Sequence, residues 1–231
     1  MAGRMIDIAA SDGNKFTGYY SPPAGGSGPG ILMIQEMFGL NSTFRGVADR
    51  FAAEGYAVLA PDMFWQTEAN FEADLTSQDD FQKAFGFYQA VDYEAGVDTM
   101  KAALGVLRDQ PECTDKVACV GFCMGGTFSY LAASRFDMDA GITYYGTAIH
   151  PYLNELDNIS CPLMMHFGAN DDTFPTEEME GVVAAVKDLP DKEAHVYEAG
   201  HAFANPNLPY YVEAAAEAAH ERSFALLASL K

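Results

Sequence analysis

Ten residues constrain this chain more than any others: Val117-Ala118-Cys119-Val120-Gly121-Phe122-Cys123-Met124-Gly125-Gly126. The apolar run Val117–Val120 predicts a short buried strand, and Gly126 opens a predicted helix. The turn between them reads G-x-C-x-G, the strand–turn–helix pattern of a nucleophile elbow with cysteine in the serine position. Such a turn is tight and strained, so a Cβ on either flanking glycine would collide with the neighbouring strand or helix. It would lift the Cys123 sulfur above a sheet and set it at a helix N-terminus, where the dipole favours a thiolate. On the motif alone a second reading stays open, in which Cys123 is a small buried core residue.

The rest of the chain alternates strand and helix signals. Met5–Ile8 and Phe16–Tyr20 flank an Asp12-Gly13 turn and predict a hairpin. Ser21–Pro29 reads as a Pro/Gly loop. Ile31–Ile34 is a continuous apolar run, as in a strand buried on both faces of a parallel sheet. Ser42 is the expected N-cap of a helix carrying Phe44, Val47, Ala48, Phe51 and Ala52, which ends at Gly55. Ala57–Ala60 is the next strand. Residues 62–91 show weaker periodicity and predict a loop with a short helix near 79–89. Val97, Met100, Leu104 and Leu107 mark a helix ending near Arg108. Beyond the elbow, Gly141–Tyr145, Leu163–Phe167 and Ala194–Tyr197 read as strands. Met179 to Leu189 and about Leu208 to Leu230 read as helices. The pattern predicts an α/β fold with a mostly parallel central sheet covered by helices on both faces. With no repeat, linker or shift in composition, residues 1–231 are expected to form a single domain.

Composition limits function by exclusion. The formal net charge of −20 over 231 residues argues against nucleic acid or an anionic membrane as a partner. There is no apolar run of membrane-spanning length and no signal-peptide pattern. Four cysteines without a C-x-x-C pair suit a reducing compartment, so a cytoplasmic location is expected. No Cys/His spacing matches a metal site, and neither metal nor cofactor is expected.

In open parallel sheets the site lies beyond the carboxyl ends of the strands. After Leu163–Phe167 comes Gly168-Ala169-Asn170-Asp171-Asp172-Thr173-Phe174-Pro175, and after Ala194–Tyr197 comes Glu198-Ala199-Gly200-His201. Nucleophile, acid, histidine, each on a loop after a strand, is the chain order of an α/β-hydrolase triad. Cys123 would attack an acyl carbon, His201 would carry the proton, and Asp171 would fix the imidazole tautomer. Asp171 is preferred over its neighbour Asp172 for its spacing from Gly168 and Pro175. Of the five histidines, His166 and His195 fall within predicted strands, His220 falls in a helix, and His150 is the loop competitor to His201. The strand Ile31–Ile34 ends in Gln35-Glu36-Met37-Phe38-Gly39, where such folds supply a second oxyanion donor. The backbone N–H groups of Met37 and Met124 are the expected pair.

Together these segments resemble the dienelactone hydrolase (carboxymethylenebutenolidase) family. The resemblance rests on Gln35–Leu40, Gly121–Gly126, Gly168–Pro175 and Ala199–Phe203, supported by Tyr88–Gly96. It implies an α/β-hydrolase fold, a small-molecule ester or lactone substrate, and a monomer or weak homo-oligomer. It also implies a role for Glu36, which would hold Cys123 as a neutral thiol and take its proton when substrate binds.

The departures concern the substrate. Family members acting on dienelactone grip its carboxylate with two arginines, and here Phe81 and Asn205 stand in those places. Neither can make a bidentate, charge-assisted contact. Phe38, Phe81, Phe85, Tyr88, Tyr144, Tyr145, Phe203 and Asn205 are the expected pocket residues, giving a preference for substrates less polar than dienelactone. Two other classes compete: a redox protein sensing oxidants through Cys123, and a catalytically silent binding protein on a hydrolase scaffold.

Overall fold

A computed structural model describes residues 3–231. The strands are β1 (Arg4–Ala9), β2 (Lys15–Ser21), β3 (Gly28–Ile34), β4 (Ala57–Pro61), β5 (Cys113–Phe122), β6 (Ala140–Tyr144), β7 (Leu163–Gly168) and β8 (Lys192–Tyr197). The α-helices are α1 (Ser42–Ala53), α2 (Trp65–Glu68), α3 (Gln78–Gln89), α4 (Tyr93–Arg108), α5 (Met124–Arg135), α6 (Thr176–Val186) and α7 (Glu213–Ala228). The chain forms two compact units, one ending at Ala118 and the other beginning at Cys119.

In the first unit β1 and β2 form the hairpin, with Gly13 at φ +89° in its turn. β2 pairs antiparallel with β4, and β4 pairs parallel with β3. The side chains of Ile31, Leu32, Met33 and Ile34 are fully buried, each worth about 1.5–3 kcal/mol relative to exposure. β3 starts at Gly28, earlier than the apolar run suggests. The N-cap of α1 is Asn41 rather than Ser42, because the Asn41 side chain accepts the N–H of Phe44. α4 also begins earlier than its apolar spacing indicates, since Asp92 caps it by accepting the N–H groups of Glu94 and Ala95.

The entry half of β5 lies in the first unit and its exit half in the second, where β6, β7 and β8 follow. The eight strands run in the order β1-β2-β4-β3-β5-β6-β7-β8, with β6, β7 and β8 parallel. This is the mostly parallel α/β sheet expected from the sequence. α7 begins at Glu213, later than its composition suggests. Residues before it are held in turns, with Tyr211 donating to the Leu208 carbonyl and Val212 to that of Phe203. A nine-residue 3₁₀ helix, His150–Asn158, and the single turn α2 were not foreseen. Among the described residues no helix is long and apolar enough to cross a membrane.

Candidate active site

Cys123 sits between β5 and α5 at φ 57° and ψ −124°, a backbone conformation that L-residues rarely adopt. Its neighbours explain how the turn is tolerated. A Cβ on Gly121 would overlap the Gly125 carbonyl oxygen, and one on Gly126 would lie 2.8 Å from the Gly146 Cα. The turn is pinned from both sides: Cys123 N–H donates to the Tyr144 carbonyl at 3.0 Å, and Gly126 N–H donates to the Cys123 carbonyl at 2.8 Å. Cys123 is 6% exposed. Of the other three cysteines, Cys119 and Cys161 are buried and Cys113 is half-buried. Burial pushes Cys119 up to about 12, and it also raises Cys113 and Cys161.

The second unit brings two more predicted residues together. His201 Nδ1 and Asp171 Oδ2 are 2.7 Å apart. The Asp171 side chain is 2% exposed, and its other oxygen accepts the Thr173 N–H at 3.0 Å. Asp172 is exposed. Burial raises the Asp171 carboxyl, but the hydrogen bond and charge of His201, with the Thr173 contacts, hold it below the ordinary carboxylate range. Burial alone would depress His201. Interaction with the Cys123 sulfur and the Asp171 hydrogen bond outweigh it and bring the imidazole up to about 10. His201 Nε2 is buried with no formed hydrogen bond. The Cys123 sulfur is close enough to act on the ring by charge and proton sharing, yet the pair misses regular hydrogen-bond geometry. Nucleophile–base contacts of this type tighten on binding substrate.

This arrangement is chemically asymmetric in a useful way. With a carboxylate at Nδ1, the ring keeps a proton on that side, so Nε2 is the nitrogen at which a proton can be exchanged. Tyr145, itself at φ 42°, packs edge-on against the His201 ring with centroids 5.1 Å apart. Among the described residues no group of three or more His, Cys, Asp or Glu is arranged to hold a metal ion.

The family model described as Dienelactone hydrolase family matches residues 16–230. The chain belongs to that family. It is therefore a hydrolase acting on ester or lactone bonds. Carboxymethylenebutenolidase of Pseudomonas putida is 32% identical over 227 residues, covering 98% of this chain and 96% of its own. A crystal structure of a dienelactone hydrolase-like promiscuous phosphotriesterase from metagenomic libraries is 25% identical, with a TM-score of 0.76 over 100% of this chain and 99% of that one. A crystal structure from Klebsiella pneumoniae subsp. pneumoniae MGH 78578 shares the fold at 23% identity, with a TM-score of 0.83 over 99% of both chains.

The remaining predicted residues fall into two groups. In the first unit, Glu36 and Phe38 lie just beyond β3 and are 6% exposed each, while Phe81 and Phe85 on α3 are 37% exposed each. Met37 and Tyr88 are half-buried. In the second unit, Met124 opens α5, and Tyr144, Tyr145 and Phe203 are buried to 1% or less. Asn205 is buried, and its Oδ1 accepts the Asn207 N–H at 3.1 Å. Sequence reasoning missed a buried polar chain formed by Tyr144, His166, Tyr197, His220 and Ser223. Its one sequence signal was faint. His220 and Ser223 share a helix face with Ala215, Ala216, Ala219 and Leu227, and polar residues on an apolar stripe ask for partners.

Proposed function

We propose that this hydrolase works by nucleophilic catalysis through Cys123, His201 and Asp171, on neutral esters or lactones less polar than dienelactone. One observation supports it above the others. A partly buried imidazole is oriented by a buried carboxylate at 2.7 Å, and its opposite, buried nitrogen is left without a hydrogen bond beside a strained cysteine.

The steps follow from that asymmetry. His201 Nε2 takes the thiol proton, and the thiolate forms a C–S bond to the acyl carbon as the carbonyl electron pair moves onto oxygen. The Met124 N–H, at the N-terminus of α5, is one donor for that oxyanion, worth a few kcal/mol in the transition state. When the carbonyl re-forms, the C–O bond breaks and the leaving alkoxide takes the proton from His201. Water, deprotonated by His201, then attacks the thioester, and the acid is released with the thiol restored. Asp171 stays ionised and stabilises the imidazolium. The Met37 N–H as second donor rests on the family resemblance, and so does an alternative first step in which Glu36, rather than His201, takes the resting thiol's proton. The burial of the Glu36 carboxyl beside the end of β3 supports such a role.

The substrate reading rests on Phe81 and Asn205. Neither offers a positive charge to a free carboxylate, and a carboxylate desolvated without a partner costs several kcal/mol. The direct test is to quench a reaction with a short aryl ester at acid pH and look by mass spectrometry for an acyl adduct on the Cys123 peptide. A steady turnover with no adduct on Cys123, under conditions that trap a thioester, would overturn the assignment.

A further inference from the structure

Three strand residues in the second unit, Tyr144, His166 and Tyr197, do two jobs each. Their backbone carbonyls hold the triad segments. The Tyr144 carbonyl at the end of β6 accepts the Cys123 N–H at 3.0 Å. The His166 carbonyl on β7 accepts the N–H of Tyr145 at 2.7 Å, and the Tyr145 ring packs on His201. The Tyr197 carbonyl at the end of β8 accepts the Ala169 N–H at 2.7 Å, two residues before Asp171.

The side chains of the same three residues are tied together through α7. Ser223 Oγ lies 2.7 Å from the Tyr144 hydroxyl and 3.0 Å from His166 Nε2. His166 Nδ1 lies 2.9 Å from the Tyr197 hydroxyl, and the Tyr144 hydroxyl lies 2.9 Å from His220 Nδ1. Arg222 donates to the Tyr197 hydroxyl at 3.3 Å. Arginine can only donate, which favours one polarity for the whole chain. Tyr197 donates to His166 Nδ1, His166 Nε2–H to Ser223, Ser223 to Tyr144, and Tyr144 to His220. Each hydroxyl and the His166 N–H has an acceptor, the condition under which a buried polar network rigidifies a structure rather than weakening it. Burial, with the neighbouring His195, His220 and Arg222, depresses His166 well below 6.5 and keeps it neutral in this role.

We propose that Ser223 is a positioning residue for the triad: through Tyr144 and His166 it holds the strand ends whose carbonyls fix the Cys123 turn and the ring packed on His201. The proposal builds on the triad reading above. The Tyr144 ring, stacked on Phe122 at 4.6 Å, gives the clean perturbation. Tyr144→Phe deletes one oxygen and leaves that stack in place.

The experiment compares wild type, Tyr144→Phe, Ser223→Ala and the double variant in three measurements. These are kcat and KM on an aryl ester, the pH profile of Cys123 alkylation by iodoacetamide, and the thermal midpoint. Displacement of reacting groups by a fraction of an ångström is expected to lower kcat roughly tenfold, with KM within about twofold because each deleted oxygen is already bonded inside the chain. The double variant should be about as impaired as the worse single one, since both break one chain. The alkylation profile should shift in all three variants, because the Cys123–His201 pair is what moves. Alkylation reads that pair without substrate. An enzyme inactive on esters whose profile still shifts would overturn the substrate reading and uphold this one. A lowered thermal midpoint with an unshifted profile would overturn the positioning role, and so would additive losses.

Discussion

Two sets of aromatic side chains, one on each unit, behave in opposite ways. In the second unit Phe122, Tyr144, Tyr145 and Phe203 are buried and packed on one another, with the Tyr144–Phe122 stack at 4.6 Å and the Tyr145–Phe203 edge contact at 5.3 Å. On α3 in the first unit, Phe81 and Phe85 are each 37% exposed. Residues of one chemical type thus serve two ends. The buried set packs beside the Cys123 turn and is held by shape and hydrogen bonding. The α3 set keeps apolar surface in water, which soluble chains retain at some cost and which suits contact with an apolar ligand. Aromatic content alone does not distinguish scaffold from contact surface; burial does.

The largest expected effect asks whether the chemistry belongs to the scaffolded unit at all. Cys123→Ala should lower ester turnover by at least about a thousandfold, since losing a nucleophile removes the covalent path. Purified variant retaining more than a few per cent of wild-type kcat would place the nucleophile elsewhere. Next in size, Asp171→Asn should lower kcat by roughly a hundred- to ten-thousandfold by freeing the wrong tautomer. Asp172→Asn, at an exposed position, should stay within about twofold of wild type, like other surface changes. The reverse ranking would exchange their roles.

Stability separates the two aromatic sets directly. Phe203→Ala should cost about 3–5 kcal/mol in urea unfolding, the range for a buried aromatic. Phe81→Ala should cost clearly less, about 1–2 kcal/mol, because more than a third of its surface stays in water. Equal costs would erase the distinction between scaffold and surface.

A smaller effect is tied to pH. The folded-state pKa of His166 is depressed by burial first, then by His195, His220 and Arg222. Its neutral form therefore contributes stability that is fully present above about 6.5, the unfolded value, and is lost as pH falls toward the folded value. The opposite shift of His201 acts in another window: its contribution is fully present below about 6.5 and is lost as pH rises through about 10. The thermal midpoint should accordingly fall between pH 6.5 and 5, and fall less in His166→Gln. Identical slopes in the two proteins would remove His166 as the cause.

How far the sequence could be read differs along the same line. The buried strands β3, β4 and β5 were legible because each carries an unbroken apolar run, and the segments carrying Cys123, Asp171 and His201 stood out because each follows a strand. Cap positions were not: Asn41 and Ser42 are both good caps, and only the bond to Phe44 N–H decides between them. The chain through Ser223 was out of reach for a stronger reason. Its partners stand 79 and 57 positions away in sequence, and no local pattern encodes a contact of that range. The α3 helix was legible as a helix, while the exposure of Phe81 was not, because periodicity says which residues share a face and not what covers it.

The smallest effect tests the surface set on its own ground. By family resemblance Phe81 and Asn205 stand where dienelactone-active relatives carry arginines. Phe81 is partly solvated, so a substrate carboxylate beside it would be only partly desolvated, and the full cost of burying an unpaired charge does not apply. A preference of roughly tenfold in kcat/KM for a methyl ester over the matching free acid is therefore expected, about 1.4 kcal/mol. Phe81→Arg supplies a charge that can pair with a carboxylate bidentately and should narrow or reverse the preference. Asn205→Arg is the less clean variant, because Asn205 is buried and holds the Asn207 N–H. Phe81→Ala separates charge from shape: it should raise KM for aryl esters a few-fold while leaving the acid-to-ester ratio unchanged. If wild type prefers the free acid, a cation other than these positions grips it, and Lys83 on α3 is the first to replace. Lys83 already pairs with Glu68 at 2.6 Å, so Glu68→Gln should then strengthen acid binding by releasing it.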